Sequence, residues 1–319
     1  MAKKIGVFTS GGDAPGMNAC IRAIVRCGLQ RGFDMFGIND GYRGLLEDDI
    51  VQMTRHSVSE IINRGGTILG TARLPEFKEL EVQKKAVEIL KRYGIDALVG
   101  IGGDGTYRGL AALSKLGINT IGLPGTIDND VGSSDFTIGF DTALNTIIEC
   151  VDRLRDTSSS HQRCSIIEVM GNRCGDLAAY AGLATGAELT ITPETPITKE
   201  AVIEFLRQQR AEGKKHAIII ISEKITDVHE FAREIEARCG FETRAEVLGH
   251  MQRGGTPTAS DRVLASRMGV YAVDLIAQGL TSVCVGIVNN QMHYYDIEKA
   301  IELPRHSSAE FVRMSTMIG

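Results

Sequence analysis

The sequence predicts an α/β protein built as two three-layer α/β/α lobes with mostly parallel sheets and an active-site cleft between them. Three observations predict it. Short apolar runs of strand length alternate with longer stretches of helical period, the pattern of repeated βα units and so of a parallel sheet with helices on both faces. These units fall into two runs, one before about residue 139 and one after, hence two sheets. Strands in both runs end in glycine-rich acidic loops, at the carboxyl edge where open α/β sheets bind ligands.

The first strand covers residues 4–8 and runs into Thr9-Ser10-Gly11-Gly12-Asp13-Ala14-Pro15-Gly16, a turn feeding a helix that reaches about residue 31. Glycines after a strand let backbone N–H groups approach a phosphate at a helix start, and they equally suit a tight turn that binds nothing. Arg22 and Arg26, four apart on that helix, share a face. They are either two solvated arginines or a pair whose repulsion, roughly a few tenths of a kcal/mol, an anion between them would remove. A strand at 34–38 follows, then a glycine-rich turn at Asp40-Gly41-Tyr42 and a loop holding Asn63-Arg64-Gly65-Gly66-Thr67. Arg73, in Gly70-Thr71-Ala72-Arg73-Leu74-Pro75, follows an irregular segment and reads as a phosphate contact or a surface arginine.

Residues 80–93 carry Val82, Ala86, Ile89 and Leu90 at helical spacing, and Gly94 ends that helix. The stretch Val99-Gly100-Ile101-Gly102-Gly103-Asp104-Gly105-Thr106 then joins a strand to a helix through glycines carrying one carboxylate, a pattern for phosphate and metal. The next strand, Thr120-Ile121-Gly122-Leu123, runs into Pro124-Gly125-Thr126-Ile127-Asp128-Asn129-Asp130. As neighbours in a parallel sheet, about 4.8 Å apart, these two strands turn two carboxylates toward one pocket.

The second run opens with a helix at 140–156, with Leu144, Ile147, Ile148, Val151 and Leu154 on one face, and a polar stretch at 157–163. A strand at 165–169 ends in Met170-Gly171-Asn172-Arg173-Cys174-Gly175-Asp176. The alternation continues with helix 176–185, strand 189–192, helix 199–212, strand 217–222, helix 228–238 and strand 243–248. Arg253-Gly254-Gly255-Thr256-Pro257 breaks the chain before an amphipathic helix at 260–278 and a strand at 283–288.

Composition excludes several classes. At 319 residues, 43% hydrophobic and 24% charged, the chain is long enough for two cores. A net charge of −5 leaves no basic footprint, so a nucleic-acid partner is not expected and positive charge should be local to a site. The start, Met1-Ala2-Lys3-Lys4-Ile5-Gly6, does not resemble a signal peptide, and no apolar run approaches the roughly 20 residues of a membrane span. A cytoplasmic protein without a membrane partner is expected. Seven cysteines without a C-x-x-C pair indicate neither a disulfide framework nor a zinc site, only small buried thiols. The absence of Trp and 5% aromatic content argue against base-stacking platforms.

Five motifs carry a resemblance. Ser10-Gly11-Gly12-Asp13-Ala14-Pro15-Gly16-Met17-Asn18, Gly102-Gly103-Asp104-Gly105-Thr106, Pro124-Gly125-Thr126-Ile127-Asp128-Asn129-Asp130, Arg153-Leu154-Arg155-Asp156-Thr157 and Gly249-His250-Met251-Gln252-Arg253-Gly254-Gly255 together resemble the bacterial ATP-dependent 6-phosphofructokinase family, from residue 1 to about 295. A Gly-Gly-Asp-Gly loop alone also occurs in kinases acting on NAD or diacylglycerol; the ordered set of five is specific. The resemblance implies transfer of the ATP γ-phosphoryl group to the 1-hydroxyl of fructose 6-phosphate. It also implies a larger nucleotide-binding lobe (1–138 plus 256–303) and a smaller sugar-phosphate lobe (139–255 plus 304–319).

The resemblance further assigns roles. Asp104 would hold Mg²⁺ between the transferring phosphates, and Asp128 would accept the hydroxyl proton. Thr126, Ile127 and Asp130 would help position the substrate, and Arg73 would lie near the transferring group. Gly12, Tyr42, Arg73, Leu74, Asp104, Gly105, Thr106 and Tyr107 would contact ATP. The sugar phosphate would meet Met170, Gly171, Asn172, Glu223, His250, Met251, Gln252 and Arg253 of one subunit, with Arg163 and Arg244 reaching in from a neighbour, hence a homotetramer. An effector site for ADP or phosphoenolpyruvate would use Arg22, Arg26, Arg55, Glu60, Arg155, Glu188, Lys214, Lys215 and His216.

The sequence departs from the family pattern at four places, and two other functions compete with the one implied. Asn172 stands where the family usually has Arg, so that phosphate contact is either lost or supplied by Arg173. Glu212 replaces a basic residue frequent at the effector site, Glu60 stands where some relatives have Asp, and the chain after Leu303 diverges. Pyrophosphate-dependent relatives typically carry Asp where Gly105 stands and Lys where Gly125 stands, so glycine at both implies ATP. A non-catalytic sugar-phosphate or nucleotide sensor would share such a cleft, without needing both Asp104 and Asp128.

Overall fold

The alternation of short apolar runs and helical stretches is realised as two separate sheets in the computed structural model, which describes residues 3–305 and 307–318. Met1 and Ala2, read as the approach to the first strand, lie outside the described residues. The chain begins with β1 (Lys4–Thr9), α1 (Met17–Gln30), β2 (Asp34–Ile38), α2 (Gly41–Leu46), β3 (Ile50–Met53), α3 (Leu80–Tyr93), β4 (Ala97–Gly102), α4 (Asp104–Lys115) and β5 (Asn119–Pro124). There follow α5 (Phe140–His161), β6 (Arg163–Val169), α6 (Asp176–Thr185), β7 (Leu189–Ile191), α7 (Lys199–Ala211), β8 (Ala217–Ser222), α8 (Val228–Cys239) and β9 (Glu242–Val247). The last elements are α9 (Ala259–Ala277), β10 (Val283–Val288), β11 (Gln291–Asp296), α10 (Ile297–Glu302) and α11 (Ala309–Ile318).

Two units result, one of residues 1–142 and 253–305, the other of residues 143–252 and 306–319. The first holds a seven-stranded sheet in the order β11-β10-β5-β4-β1-β2-β3, parallel except at its two edge strands. All six residues of β4 are buried, as a near-continuous apolar run in a central parallel strand requires. On one face, Tyr42 packs between Phe8 and Phe77, with ring centroids 4.8 Å and 4.0 Å away. The second unit holds the all-parallel sheet β7-β8-β6-β9, in which β8, another fully buried run, lies beside β6 with Val169 opposite Ser222.

Most elements fall where the periodicity put them, and the differences have physical causes. The turn at Asp40-Gly41-Tyr42 is a left-handed step at Asp40 (φ 50°) and Gly41 (φ 63°) that opens the short α2. β3 and β11 lie on sheet edges, half exposed, so neither carries the apolar run of a central strand. The polar stretch 157–163 does not end α5 at 156: the helix continues to His161, since Ser158 is buried and its hydroxyl bonds that of Ser165 on β6 at 2.6 Å. All seven cysteines are free thiols, five of them buried. Among the described residues, no helix is long and apolar enough to cross a membrane.

Candidate active site

In the first sheet the chain moves from β1 to β2 on one side and later adds β4 and β5 on the other, so the loops after β1 and β4 part at a switch in strand order. Hydrogen bonds stitch these loops together. The Ser10 amide donates to the Ile101 carbonyl at 3.1 Å, the Thr106 hydroxyl to the Ser10 carbonyl at 3.1 Å, and the Gly125 amide to the Gly102 carbonyl at 3.1 Å. Gly102 makes this closure possible: a Cβ there would stand 2.2 Å from Thr106 Oγ1 and 2.3 Å from the Ser10 carbonyl oxygen.

β4 and β5 are parallel neighbours with Gly102 opposite Pro124, so the loops bearing Asp104 and Asp128 leave side by side. Asp104 begins α4, exposed, with Arg108 Nε 2.9 Å from its Oδ2. Asp128, by contrast, is only 8% exposed, as are Thr126 and Asn129. Its amide donates to Thr126 Oγ1 at 3.2 Å, and the loop is locked from behind by Thr137, whose hydroxyl donates to the Thr126 carbonyl at 2.6 Å. Further back, the buried carboxylate of Asp261 accepts from the Gly139 and Thr142 amides, each at 2.8 Å. Burial pushes that carboxyl up to about 6.

Gly105 and Gly125 differ in what surrounds them. A Cβ on Gly105 meets nothing within 4 Å, whereas one on Gly125 would lie 2.7 Å from Ile101 Cγ2. Packing alone therefore explains glycine at 125 and leaves glycine at 105 to be explained by what binds there.

Arg73 is exposed and makes no ion pair or hydrogen bond among the described residues, but its segment is tethered to the same edge. Thr71 Oγ1 donates to the Gly11 carbonyl at 2.7 Å, Thr9 Oγ1 to the Gly70 carbonyl at 2.7 Å, and the Asp40 amide to the Leu69 carbonyl at 2.7 Å. The sequence reading missed Thr71; its one signal is a hydroxyl residue two places before an arginine in a loop.

Several residues expected at this edge turn out to be core residues. Tyr107 and Ile127 are buried, Tyr42 is stacked on Phe77, and Leu74 packs against the same cluster. The Tyr42 hydroxyl donates to the Thr106 carbonyl at 2.7 Å. Asp130 has Arg305 Nη2 3.9 Å from its Oδ2. Arg253, expected with the sugar phosphate, packs on the β1 loop: its Nη1 donates to the Asp13 carbonyl at 3.2 Å, and a Cβ on Gly12 would come 2.3 Å from it.

The carboxyl edge of the second sheet gathers the other group. The strands β8-β6-β9 are adjacent, so Glu223, the 170–172 turn and the 249–252 turn follow neighbouring strands. Gln252, fully buried, joins two of them: its Oε1 accepts from the Met170 amide at 3.1 Å and its Nε2 donates to the Gly249 carbonyl at 3.0 Å. Glu223 Oε1 accepts from the Asn172 amide at 2.7 Å. Met251 is 66% exposed, and His250 is exposed as well. On β6, burial and then the charge of Glu223 push the Glu168 carboxyl above its ordinary value.

Arg163 and Arg244 are not at that edge. Arg163 is the first residue of β6 and pairs with Glu242 at 2.9 Å, while Arg244 pairs with Glu236 at 3.2 Å and with Glu242. The length of β6, about 20 Å of extended chain, separates Arg163 from Met170. Near the same amino end lies the buried Glu188, with Lys214 Nζ at 3.0 Å, Arg155 Nη1 at 3.8 Å and the Ile218 amide donating at 2.6 Å. Lys215 and His216 continue from Lys214 into β8. Glu212 caps the end of α7, where Gln208 Nε2 donates to its Oε1 at 3.1 Å. In the first unit, burial first and then the charges of Arg26 and Arg55 push the Arg22 guanidinium below its ordinary value. Arg26 Nε is buried without a hydrogen-bond partner among the described residues, while Glu60 is exposed at φ 56°.

The phosphofructokinase family model matches residues 4–276. The chain belongs to the phosphofructokinase family. It is 60% identical over 302 residues to the ATP-dependent 6-phosphofructokinase of Aliivibrio fischeri, covering 95% of this chain and 94% of that one. It is 59% identical over 302 residues to the enzyme of the same name from Vibrio cholerae, with the same coverage. Among solved structures, it resembles the phosphofructokinase of Saccharomyces cerevisiae at TM-score 0.87 and 35% identity, covering 98% of this chain and 47% of that longer one. It resembles that of Pichia pastoris in the T-state at TM-score 0.90 and 35% identity, covering 95% of this chain and 36% of that one. A pyrophosphate-dependent phosphofructokinase from Marinobacter aquaeolei shares the fold at TM-score 0.86 and 18% identity. The resemblance carried by the five motifs is thus borne out, as is the mixed α/β architecture of mostly parallel sheets.

Proposed function

We propose that this phosphofructokinase-family enzyme transfers the γ-phosphoryl group of ATP to the 1-hydroxyl of fructose 6-phosphate, as a glycolytic enzyme of the cytoplasm. The observation that carries the reading is the pairing of Gly102 with Pro124, which sends the loops of Asp104 and Asp128 out together, one carboxylate exposed and one nearly buried. A sensor would have no use for two such different carboxylates on adjacent loops. Phosphoryl transfer needs both.

Asp128 is the general base: it takes the proton of the sugar hydroxyl as that oxygen attacks phosphorus and ADP leaves. Its burial removes competing water, and Thr126, held by Thr137, orients it. Asp104 fits a hard cation that takes one carboxylate, keeps several waters and draws its remaining oxygens from phosphates, so it would hold Mg²⁺. Bound there, Mg²⁺ supplies neutralisation of the phosphate charge. Arg73, on the segment tethered through Thr71 to Gly11, adds positive charge near the transferring group. Open space beside Gly105 favours ATP over pyrophosphate, since an aspartate there would fill it with negative charge.

In this reading the second unit binds the sugar phosphate. Arg163, a strand length from its own chain's sugar edge, and Arg244, partway along β9, serve a neighbour's site, which makes the enzyme a homotetramer. An effector site shared between subunits, formed by Arg22, Arg26, Arg55 and Glu60 with Glu188, Arg155, Lys214, Lys215 and His216, binds ADP or phosphoenolpyruvate. The unpartnered Arg26 Nε and the mutual repulsion at Arg22 support an anion there.

A coupled assay with fructose 6-phosphate tests the whole reading, run with ATP and with pyrophosphate, each with and without ADP or phosphoenolpyruvate. Turnover with ATP and Mg²⁺, and little with pyrophosphate, is expected. Binding of sugar phosphate without turnover would instead establish the sensor.

A further inference from the structure

The sugar edge of the second unit presents a cation that the sequence motifs did not mark. Val169 and Ser222 are register partners at the ends of β6 and β8, so the turns that follow leave the sheet together. Both turn left-handed: Gly171 at φ 138°, Asn172 at φ 59° and Lys224 at φ 67°. Asparagine visits that region readily, but a lysine in it is uncommon and calls for a reason. Two contacts hold the turns to each other. The Asn172 amide donates to Glu223 Oε1 at 2.7 Å, and Lys224 Nζ donates to Asn172 Oδ1 at 2.7 Å.

The left-handed step at Lys224 thus carries its side chain back over the 170–172 turn, where it meets an amide oxygen and not a carboxylate. Lys224 makes no ion pair among the described residues, and an ammonium has three N–H donors, of which Asn172 takes one. Its charge remains available at a place built from Met170, Gly171, Asn172 and Glu223. Arg173, the alternative cation, is exposed and makes no hydrogen bond or ion pair among the described residues.

We propose that Lys224, braced by Asn172, binds the phosphate of the sugar phosphate, with Glu223 beside it accepting from a sugar hydroxyl. This rests on the proposed reaction and names a residue for it. Carboxylate and ammonium side by side match a ligand that carries hydroxyls and a dianion on one small frame. Asn172 accounts for both turns at once: it tolerates the left-handed backbone and offers the oxygen that fixes the lysine.

The test is steady-state kinetics of the full-length enzyme with ATP and fructose 6-phosphate. Lys224→Met should raise KM for fructose 6-phosphate about 10- to 100-fold, the usual worth of a charge-assisted hydrogen bond, with kcat and KM for ATP within about threefold, the pattern of lost uniform binding. Lys224→Arg should recover most of the loss, and Arg173→Met should leave KM within about twofold. An unchanged KM in Lys224→Met, or a rise confined to Arg173→Met, would overturn the assignment while leaving the reaction intact. Wild-type enzyme that fails to turn over fructose 6-phosphate at all would overturn the reaction and this assignment with it.

Discussion

The carboxyl edges of the two sheets hold their loops in opposite ways. At the first, the joints are backbone carbonyls met by amides and threonine hydroxyls: Ser10 to Ile101, Thr106 to Ser10, Thr71 to Gly11, Gly125 to Gly102. At the second, longer polar side chains take part: Gln252 bridges Met170 and Gly249, while Glu223 accepts from the Asn172 amide and the Asn172 side chain accepts from Lys224. A glycine and hydroxyl frame presents N–H groups to a phosphate chain without adding charge, which suits a nucleotide whose metal brings its own. A frame of amides and charges distinguishes one sugar phosphate from another, because an unmatched partner leaves a buried polar group unpaired. In the proposed reaction the first edge would serve the chemistry and the second the recognition.

The largest test of that division is Asp128→Asn. If the first edge performs the chemistry, kcat falls about 10²- to 10⁴-fold, the worth of a positioned base, while KM for both substrates changes by less than about threefold. The amide keeps the size of the side chain, so the loop held by Thr126 and Thr137 survives, and a thermal melt like that of the wild type would show it. A variant with near-normal kcat would move the base elsewhere and dissolve the contrast.

Next in size is Gly105→Asp. The structure leaves room for the new side chain, so folding and sugar KM should be unaffected, while kcat/KM for ATP falls by roughly 10- to 100-fold, an order set by a charge repelled by phosphate near a helix start. Unchanged ATP use would show that space at 105 does not select the donor. The equivalent change at Gly125 is a poorer probe, because a Cβ there strikes Ile101 and confuses folding with specificity.

How far each edge could be read from sequence follows the same division. Residues 80–93 form a helix with the expected bounds, and β4 lies in the expected place, because apolar periodicity and glycine stops are local signals. Asp104 and Asp128 were legible for the same reason, each lying a few residues beyond a buried strand. β3 and β11 were not, since an edge strand owes its shape to its neighbour: β11 pairs Asp296 with Val283 and has no fully buried residue. The part played by Gln252 and Lys224 depends on register between strands about 50 to 80 residues apart in the chain, which no local pattern carries. Tyr107 shows the reverse, a motif residue whose side chain the structure places in the core.

The smallest expected effect compares one joint from each edge. Gln252→Leu fills the same space but removes the acceptor for the Met170 amide and the donor for the Gly249 carbonyl, leaving two polar groups unmatched. That should cost about 1–3 kcal/mol of stability and raise KM for fructose 6-phosphate by roughly three- to tenfold, with KM for ATP unchanged. Thr71→Val removes a single hydroxyl from the Gly11 carbonyl, a joint that is only partly buried and open to replacement by water. Its cost should be about 1 kcal/mol or less, with KM for ATP rising about two- to threefold and the sugar KM unmoved. Crossed effects, Gln252→Leu acting on ATP or Thr71→Val on the sugar, would show that the two edges are coupled. Separate effects of unequal size follow from their construction: the second edge depends on a few side-chain contacts, Gln252 bridging two turns, whereas the first distributes its support over several bonds to backbone carbonyls, so that no single hydroxyl holds it alone.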